Sequence, residues 1–303
     1  MKILAMILVL VFLVPSSAVY AISQASFMAE TVYVSGTNHY EISFGSGKSR
    51  LDWDMDMYLE GLSFNLALSP GMDINLSCLA SPWQSGGHFL YDTDWDRDGA
   101  ITCFSSSHID NKAIILRAGA GIYPLRAGRA SLRLYGGYEA QRFHYRGYDT
   151  TQYEYEDGLD AVYFVGGSVI TYRLDYDLLY VGLGLGMTIP DRVEMGLNAS
   201  VIPYALARDR DNHLRRNKVS TGRCTGTGMM MDAFLRIKII GALYGHVECG
   251  IHRIRTSGSQ SQRWYGDDPV SRGIDDTGYV FSNIPQECEQ SASHMGIGMG
   301  FSF

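Results

Sequence analysis

The last ten residues, HMGIGMGFSF, alternate without a break. Met295, Ile297, Met299, Phe301 and Phe303 fall on one parity, and Gly296, Gly298, Gly300 and Ser302 on the other. Successive side chains of a strand point to opposite faces, so this segment has one apolar face and one small, mildly polar face. The pattern recurs upstream. Val181, Leu183, Leu185 and Met187 alternate with glycines; Val193, Met195, Leu197, Ala199 and Val201 alternate with Glu194, Asn198 and Ser200. Met231, Ala233, Leu235, Ile237 and Ile239 alternate with Asp232, Arg236 and Lys238, and Leu243, Val247 and Ile251 with His246, Glu248 and His252. In a soluble sandwich the charged faces would lie outside; in a transmembrane barrel they line a polar lumen while the apolar faces meet lipid.

Tight turns at Ser69-Pro70-Gly71, Pro190-Asp191-Arg192 and Gly241-Ala242 contrast with long polar segments at 84–110, 146–160, 211–219 and 257–292. Short turns at one end and long connections at the other are the asymmetry of a membrane barrel. The periodicity predicts strands at 29–43, 50–68, 72–83, 112–123, 130–145, 161–188, 193–210, 219–240, 243–256 and 294–303. The fold class expected is all-β: a ten-stranded antiparallel transmembrane β-barrel with strands extending above the outer membrane. In the second strand the apolar parity moves from Trp53, Met55 and Met57 to Leu62, Phe64 and Leu66, which marks a bulge or the passage from membrane to water.

The opening MKILAMILVLVFLVPSSAVYAIS has one lysine, an apolar run from Ile3 to Val14, and small residues at Val19 and Ala21. It predicts a signal peptide over 1–21, cleaved after Ala21, and a single barrel domain over 22–303. The apolar run is too short for an ordinary spanning helix. Abundant glycine (34) and tyrosine (20) with scarce proline (8) fit either a secreted β-domain or a barrel. The formal charge of −7 argues against a nucleic-acid partner. Five cysteines, an odd number without any C-x-x-C, cannot all pair within the chain and give no zinc signature. One bridge, such as Cys224 with Cys288, is open in an oxidising compartment. No metal site is expected, although DTDWDRD could take calcium weakly.

Candidate chemistry lies in RDRDNHLRR (208–216) and DTDWDRD (92–98). Asp211 and His213, at i and i+2, share one strand face, where a carboxylate raises the basicity of an imidazole and orients it. Asp92 and Asp94 share the same spacing, and two close carboxylates can share a proton and polarise a water. Lumen-side parity is even at Glu194, Asn198 and Ser200 but odd at Asp209, Asp211 and His213, so a phase shift is needed between Val201 and Asp209. Pro203 is the natural place for it. Taken alone, each pair is equally readable as solvated loop polarity.

These residues resemble the omptin family, outer-membrane endoproteases of Gram-negative bacteria. SRLDW (49–53), DTDW (92–95), GYEAQRFHY (137–145) and DRDNH (209–213) resemble family segments in order along the chain. The resemblance implies that Asp92 and Asp94 face Asp211 and His213 across a groove open to the extracellular side. Water between them attacks a peptide carbonyl, with His213 as base. It further implies that Asp209 and Glu41 hold the basic side chain before the scissile bond, and that Tyr138 and Arg142 belong to a lipopolysaccharide site. The partners implied are polypeptides with basic residues and lipopolysaccharide as an activating lipid, with no other cofactor.

The departures are specific. A family stretch of the form W-T-D-x-S-x-H-P is here ITCFSSSH (101–108), so a basic preference after the scissile bond should weaken at Cys103. Ala140 replaces an acidic family residue, Asp175 stands where a lipid-binding arginine is expected, and the segment SQSQRWYGDDPVSRGIDDTGYVFSNIPQECEQS does not align with the family pattern. Two other readings stay open. One is a non-catalytic surface barrel acting as an adhesin or lipid binder. The other is a lipid hydrolase or acyl transferase built on Ser105, Ser106 or Ser107 with His108.

Overall fold

The structure is a computed structural model that describes residues 24–156, 159–189, 192–269 and 275–303. The expected signal peptide and the Pro190-Asp191 turn lie outside the described residues. Every element is a strand: β1 (Gln24–Phe44), β2 (Gly47–Asp54), β3 (Met57–Ser69), β4 (Met72–Ala80), β5 (Gln84–Asp96), β6 (Ile101–Ala127), β7 (Ala130–Glu156), β8 (Leu159–Ile189), β9 (Val193–His213), β10 (Lys218–Ile240), β11 (Leu243–Trp264) and β12 (Val280–Ser302). All pairings are antiparallel, and β12 pairs with β1 to close the ring.

Twelve strands make ten staves. β1 pairs with β3 near the termini and with β2 further up, while β4 and β5 both pair with β6. The second and third staves are therefore each broken once, at Met55-Asp56 and at Ser81–Trp83. The first break falls inside the window where the sequence shifts its apolar parity. At each break one backbone N–H stays paired: Met55 N–H donates to Gly36 O at 2.9 Å, and Ser81 N–H to Ala113 O at 2.9 Å.

Most of the long polar segments expected as loops are strand. Residues 84–96 form β5, 101–110 form the upper part of β6, and β7, β11 and β12 run far past the predicted limits, whereas β8, β9 and β10 keep close to theirs. The reason is physical. Above the membrane both faces of the wall meet water, so the apolar–polar alternation that betrays a spanning strand is lost there.

Exposed Val181, Leu183, Leu185 and Met187, and Met295, Ile297, Met299 and Phe301, form part of an apolar outer band, as expected for lipid contact. The lumen is not an open pore. Midway up, Tyr40, Trp53, Phe143, Tyr145, Tyr172 and Tyr176 are fully buried or nearly so. Trp53 stacks on Tyr172 with ring centres 5.0 Å apart and tilts against Tyr145 at 5.1 Å. Toward the termini the lumen becomes polar and opens into a cavity of about 640 Å³ lined by residues such as Asp73, Arg133, Glu194, Arg236 and His246. The aromatic layer thus forms a floor, and the end of the barrel away from the termini is a cleft above it.

Candidate active site

Strand register places the candidate residues. On β9 the pairing with β10 jumps from Gly226–Ala205 to Gly228–Ile202, and the pairing with β8 jumps from Leu179–Tyr204 to Val181–Val201. The extra residue is at Pro203 and its neighbours, where a missing N–H makes a bulge inexpensive. Ser200 and Ile202 are buried before the bulge, and Ala205, Ala207, Asp209 and Asp211 after it. The phase shift inferred from the sequence is present.

Asp211 is fully buried and His213 is 19% exposed; His213 Nε2 lies 2.7 Å from Asp211 Oδ2. With Nε2–H held by the carboxylate, Nδ1 is the ring nitrogen left to accept a proton. Tyr40 on β1 donates its hydroxyl to the same Asp211 oxygen at 3.4 Å. Asp211 Oδ1 has no hydrogen-bond partner. On the other wall, Asp92 and Asp94 lie on β5, opposite Leu51 and Ser49 of β2 and opposite Ser105 and Cys103 of β6. They were expected in a loop; a strand holds them more rigidly. Ser49 Oγ donates to Asp92 Oδ1 at 3.5 Å.

The two walls are electrostatically joined. Burial pushes the Asp92 carboxyl well above the usual carboxylate range, and the charges of Asp94 and then Asp211 push it further, against the pull of Lys218. Asp92 therefore favours its protonated form. Burial likewise raises the Cys103 thiol to about 12, with Asp94 and Asp92 adding to it, so Cys103 remains a neutral thiol beside the pair.

Asp209, on the same inward face of β9 as Asp211, is 6% exposed; neither carboxylate oxygen has a partner at hydrogen-bond geometry, although the Gln286 amide lies close enough to act on it. Burial raises it to about 7, against a lowering by the Gln286 amide, with Asp211 raising it further. Gly222 of β10 pairs with it, and a Cβ at Gly222 would strike both Asp209 Oδ1 and Gln286 Oε1. The glycine is what lets these two side chains meet. Beneath them the thiols of Cys224 and Cys288 adjoin, both buried.

Glu41 does not join Asp209. The β1–β12 register runs from Tyr33–Met295 to Glu41–Glu287 without a shift, so Glu41 shares the outward parity of exposed Tyr33 and Met295. Its carboxylate pairs with Lys48 at 3.4 Å. Buried Tyr40 takes the inward position beside Asp211 and Asp209. That parity was countable from the C-terminal strand, which was the signal available for Tyr40. Lys218, Gln260 and Gln286 were also missed, because each lies in a polar stretch with no alternation to mark its face.

Tyr138 and Arg142 lie on the outer wall of β7 and meet there. Tyr138 OH and Arg142 Nη2 both donate to Asp177 Oδ1, at 2.5 and 2.6 Å, and Arg208 pairs with the other oxygen. Asp175 receives Arg173 at 2.7 Å and Arg142 at 3.8 Å. The cluster is cationic by one charge, three arginines against two aspartates. The serine alternative finds no support: Ser107 Oγ bonds Thr150 at 2.7 Å, His108 packs against Phe89 and Tyr148, and no hydrogen bond links His108 to Ser105, Ser106 or Ser107 among the described residues. No group of three or more potential metal ligands occurs among the described residues.

The sequence profile of the omptin family matches residues 26–233. The crystal structure of the outer membrane protease OmpT from Escherichia coli is similar at 18% identity, with a TM-score of 0.79 over 93% of this chain and 97% of that one. The translocator domain of the autotransporter NalP from Neisseria meningitidis covers 93% of this chain and 89% of its own at 11% identity, with a TM-score of only 0.36. No curated protein sequence matches the chain.

Proposed function

This chain belongs to the omptin family, the outer-membrane β-barrel proteases, and from that premise we propose that it is an endopeptidase cutting polypeptides at basic residues by water activated between Asp92/Asp94 and Asp211/His213. The observation that carries the reading is the 2.7 Å contact of His213 with buried Asp211, in a cleft whose other wall holds a carboxylate pair that feels the charge of Asp211.

The chemistry follows from the groups. Water held by the Asp92–Asp94 pair attacks the peptide carbonyl carbon while His213 Nδ1 removes its proton. Asp211 orients the ring and stabilises the imidazolium that forms. The tetrahedral intermediate collapses as His213 returns the proton to the leaving amine. Asp209, with two unpartnered oxygens, receives the basic side chain before the scissile bond through charge-assisted hydrogen bonds. With Tyr40 rather than Glu41 facing inward beside Asp211, this pocket has one carboxylate. The cleft faces the outside of the cell, since the tight turns and termini lie at the opposite end. The Tyr138/Arg142/Arg208 cluster is the site for a lipopolysaccharide phosphate, with Asp175 and Asp177 weakening it.

The mature chain refolded in detergent, with and without rough lipopolysaccharide, is expected to cleave a quenched peptide on the carboxyl side of its single arginine. Asp211→Ala and His213→Ala should lose about 10²–10⁴-fold in kcat. A verified barrel that cleaves no member of a peptide library under any lipid condition would leave it a binding barrel instead.

A further inference from the structure

Four carboxylates converge above the aromatic floor: Asp92 and Asp94 from β5, Asp209 and Asp211 from β9. Among the described residues one inward cation, Lys218, accompanies them, in a stretch that reads as loop charge. The turn after His213 brings Asn217 into the left-handed region at φ 49° and returns the chain so that Lys218 of β10 sits opposite His213. Lys218 is 7% exposed. Its ammonium lies 5.8 Å from the centre of the Trp264 ring, an apolar wall that shields it from water.

Neighbouring cations are otherwise engaged or turned away. Arg216 Nε pairs with the fully buried Asp268 at 3.0 Å, and Asp268 also accepts the Trp264 indole N–H at 3.1 Å. Arg208 and Arg210 have the outward parity of β9, and Arg208 is bound to Asp177. Lys218 acts on Asp92 and Asp211 through space, without a direct contact pair among the described residues. Its charge favours ionised Asp92; burial and then Arg216 lower the Lys218 ammonium below its ordinary range, and Asp211 and Asp92 oppose that lowering. The groups around the ammonium are thus Asp211 on β9, Asp92 on β5, Trp264 on β11, and Arg216 with Asp268 beyond the turns, with His213 opposite in register.

We propose that Lys218 is a positioning residue of the hydrolytic site, the shared counter-charge that lets Asp211 and one carboxylate of the Asp92–Asp94 pair be negative together. Both roles are needed at once: Asp211 to orient His213, and a carboxylate opposite to hold the water. Without an internal cation, two negative walls in a desolvated cleft would each favour protonation of the other. The inference rests on the proteolytic reading, but its charge effect is measurable without turnover.

The test compares refolded wild type with Lys218→Met, Lys218→Arg and the control Arg216→Met. The pH profile of kcat/KM on the arginine peptide should move its acid limb up by about one unit in Lys218→Met, and stay in place in Lys218→Arg and Arg216→Met. A structural role alone would lower the plateau and leave the limb unmoved. In parallel, infrared titration of the protonated carboxyl band, assigned with Asp92→Asn, should show Asp92 holding its proton to higher pH in Lys218→Met. An unmoved limb and an unmoved carboxyl band in folded Lys218→Met overturn the proposal. So does an equal shift in Lys218→Arg, because charge would then not be the cause. If wild type cleaves nothing, the proteolytic reading fails, and the infrared titration still decides the part played by Lys218.

Discussion

The lumen holds two buried ionisable clusters, one on each side of the aromatic floor, and they are built differently. Toward the termini four carboxylates each have a basic partner, and Glu30 has only the Ser63 hydroxyl. Asp73 takes Arg133 at 2.5 Å and Tyr123 at 2.7 Å, Glu139 takes Arg117 at 2.5 Å, Asp232 lies 3.4 Å from His294, and Glu248 lies 3.3 Å from His246. Above the floor, Asp209 has two unpartnered oxygens and Asp211 one, Asp92 has a single long bond from Ser49, and one lysine serves the group. Burying a charge is costly unless it is paired. A lower cluster with most of its charges paired is what a stable barrel interior requires. An upper cluster left short of partners is unfavourable for folding and ready for a substrate.

Three substitutions sharpen that contrast, in decreasing size of effect. Arg133→Met strands Asp73, only 5% exposed, and should cost about 3 kcal/mol of stability, the low end for a broken buried pair because the cavity hydrates it. Unfolding in guanidinium chloride reads the loss, while kcat of the remaining folded barrel should not change. A fall in kcat would erase the division between the clusters.

Asp209→Asn should do the reverse, weakening kcat/KM for arginine peptides by roughly 10–100-fold, the worth of one charge-assisted pair, while stabilising the free barrel. The sign follows from the carboxyl being raised to about 7. The folded state holds that proton more tightly than the unfolded chain, so wild-type stability declines as pH rises from the ordinary carboxylate range through about 7. The gain from Asp209→Asn should therefore be larger at pH 8 than at pH 5, measured as melting temperature in detergent. Over the same range, wild-type KM for arginine peptides should improve as pH rises, because only ionised Asp209 pairs with a guanidinium.

Glu41→Gln removes only an exposed pair with Lys48 and should change kcat/KM less than about twofold, in keeping with a surface ion pair of 0–1 kcal/mol. A larger loss of arginine cleavage would restore Glu41 to the pocket and contradict its outward parity.

The membrane half of this molecule was legible because lipid on one side and a polar lumen on the other impose strict alternation, down to HMGIGMGFSF. The two proposed catalytic pairs are legible as i, i+2 spacings, and the parity conflict at Asp209 locates the Pro203 bulge. Above the membrane that contrast vanishes. DTDW and ITCFSSSH read as loop although they form β5 and β6, and the broken second stave reads as one continuous strand. Glu41 was placed by resemblance where counting from Tyr33 would have chosen Tyr40. Lys218 carried no signal at all, since its meaning comes from the four-residue turn that sets it opposite His213.

The most direct test of the account is whether the two walls act as one unit. The measurement is kcat on the arginine peptide for Asp92→Asn, His213→Ala and the double variant, each verified as a folded barrel. Members of one catalytic unit are strongly non-additive. Each single variant is expected to lose most of the activity, and the double to be little worse than the more damaged single. Near wild-type cleavage by either single variant, or losses that multiply in the double, would contradict a water activated between Asp92/Asp94 and Asp211/His213.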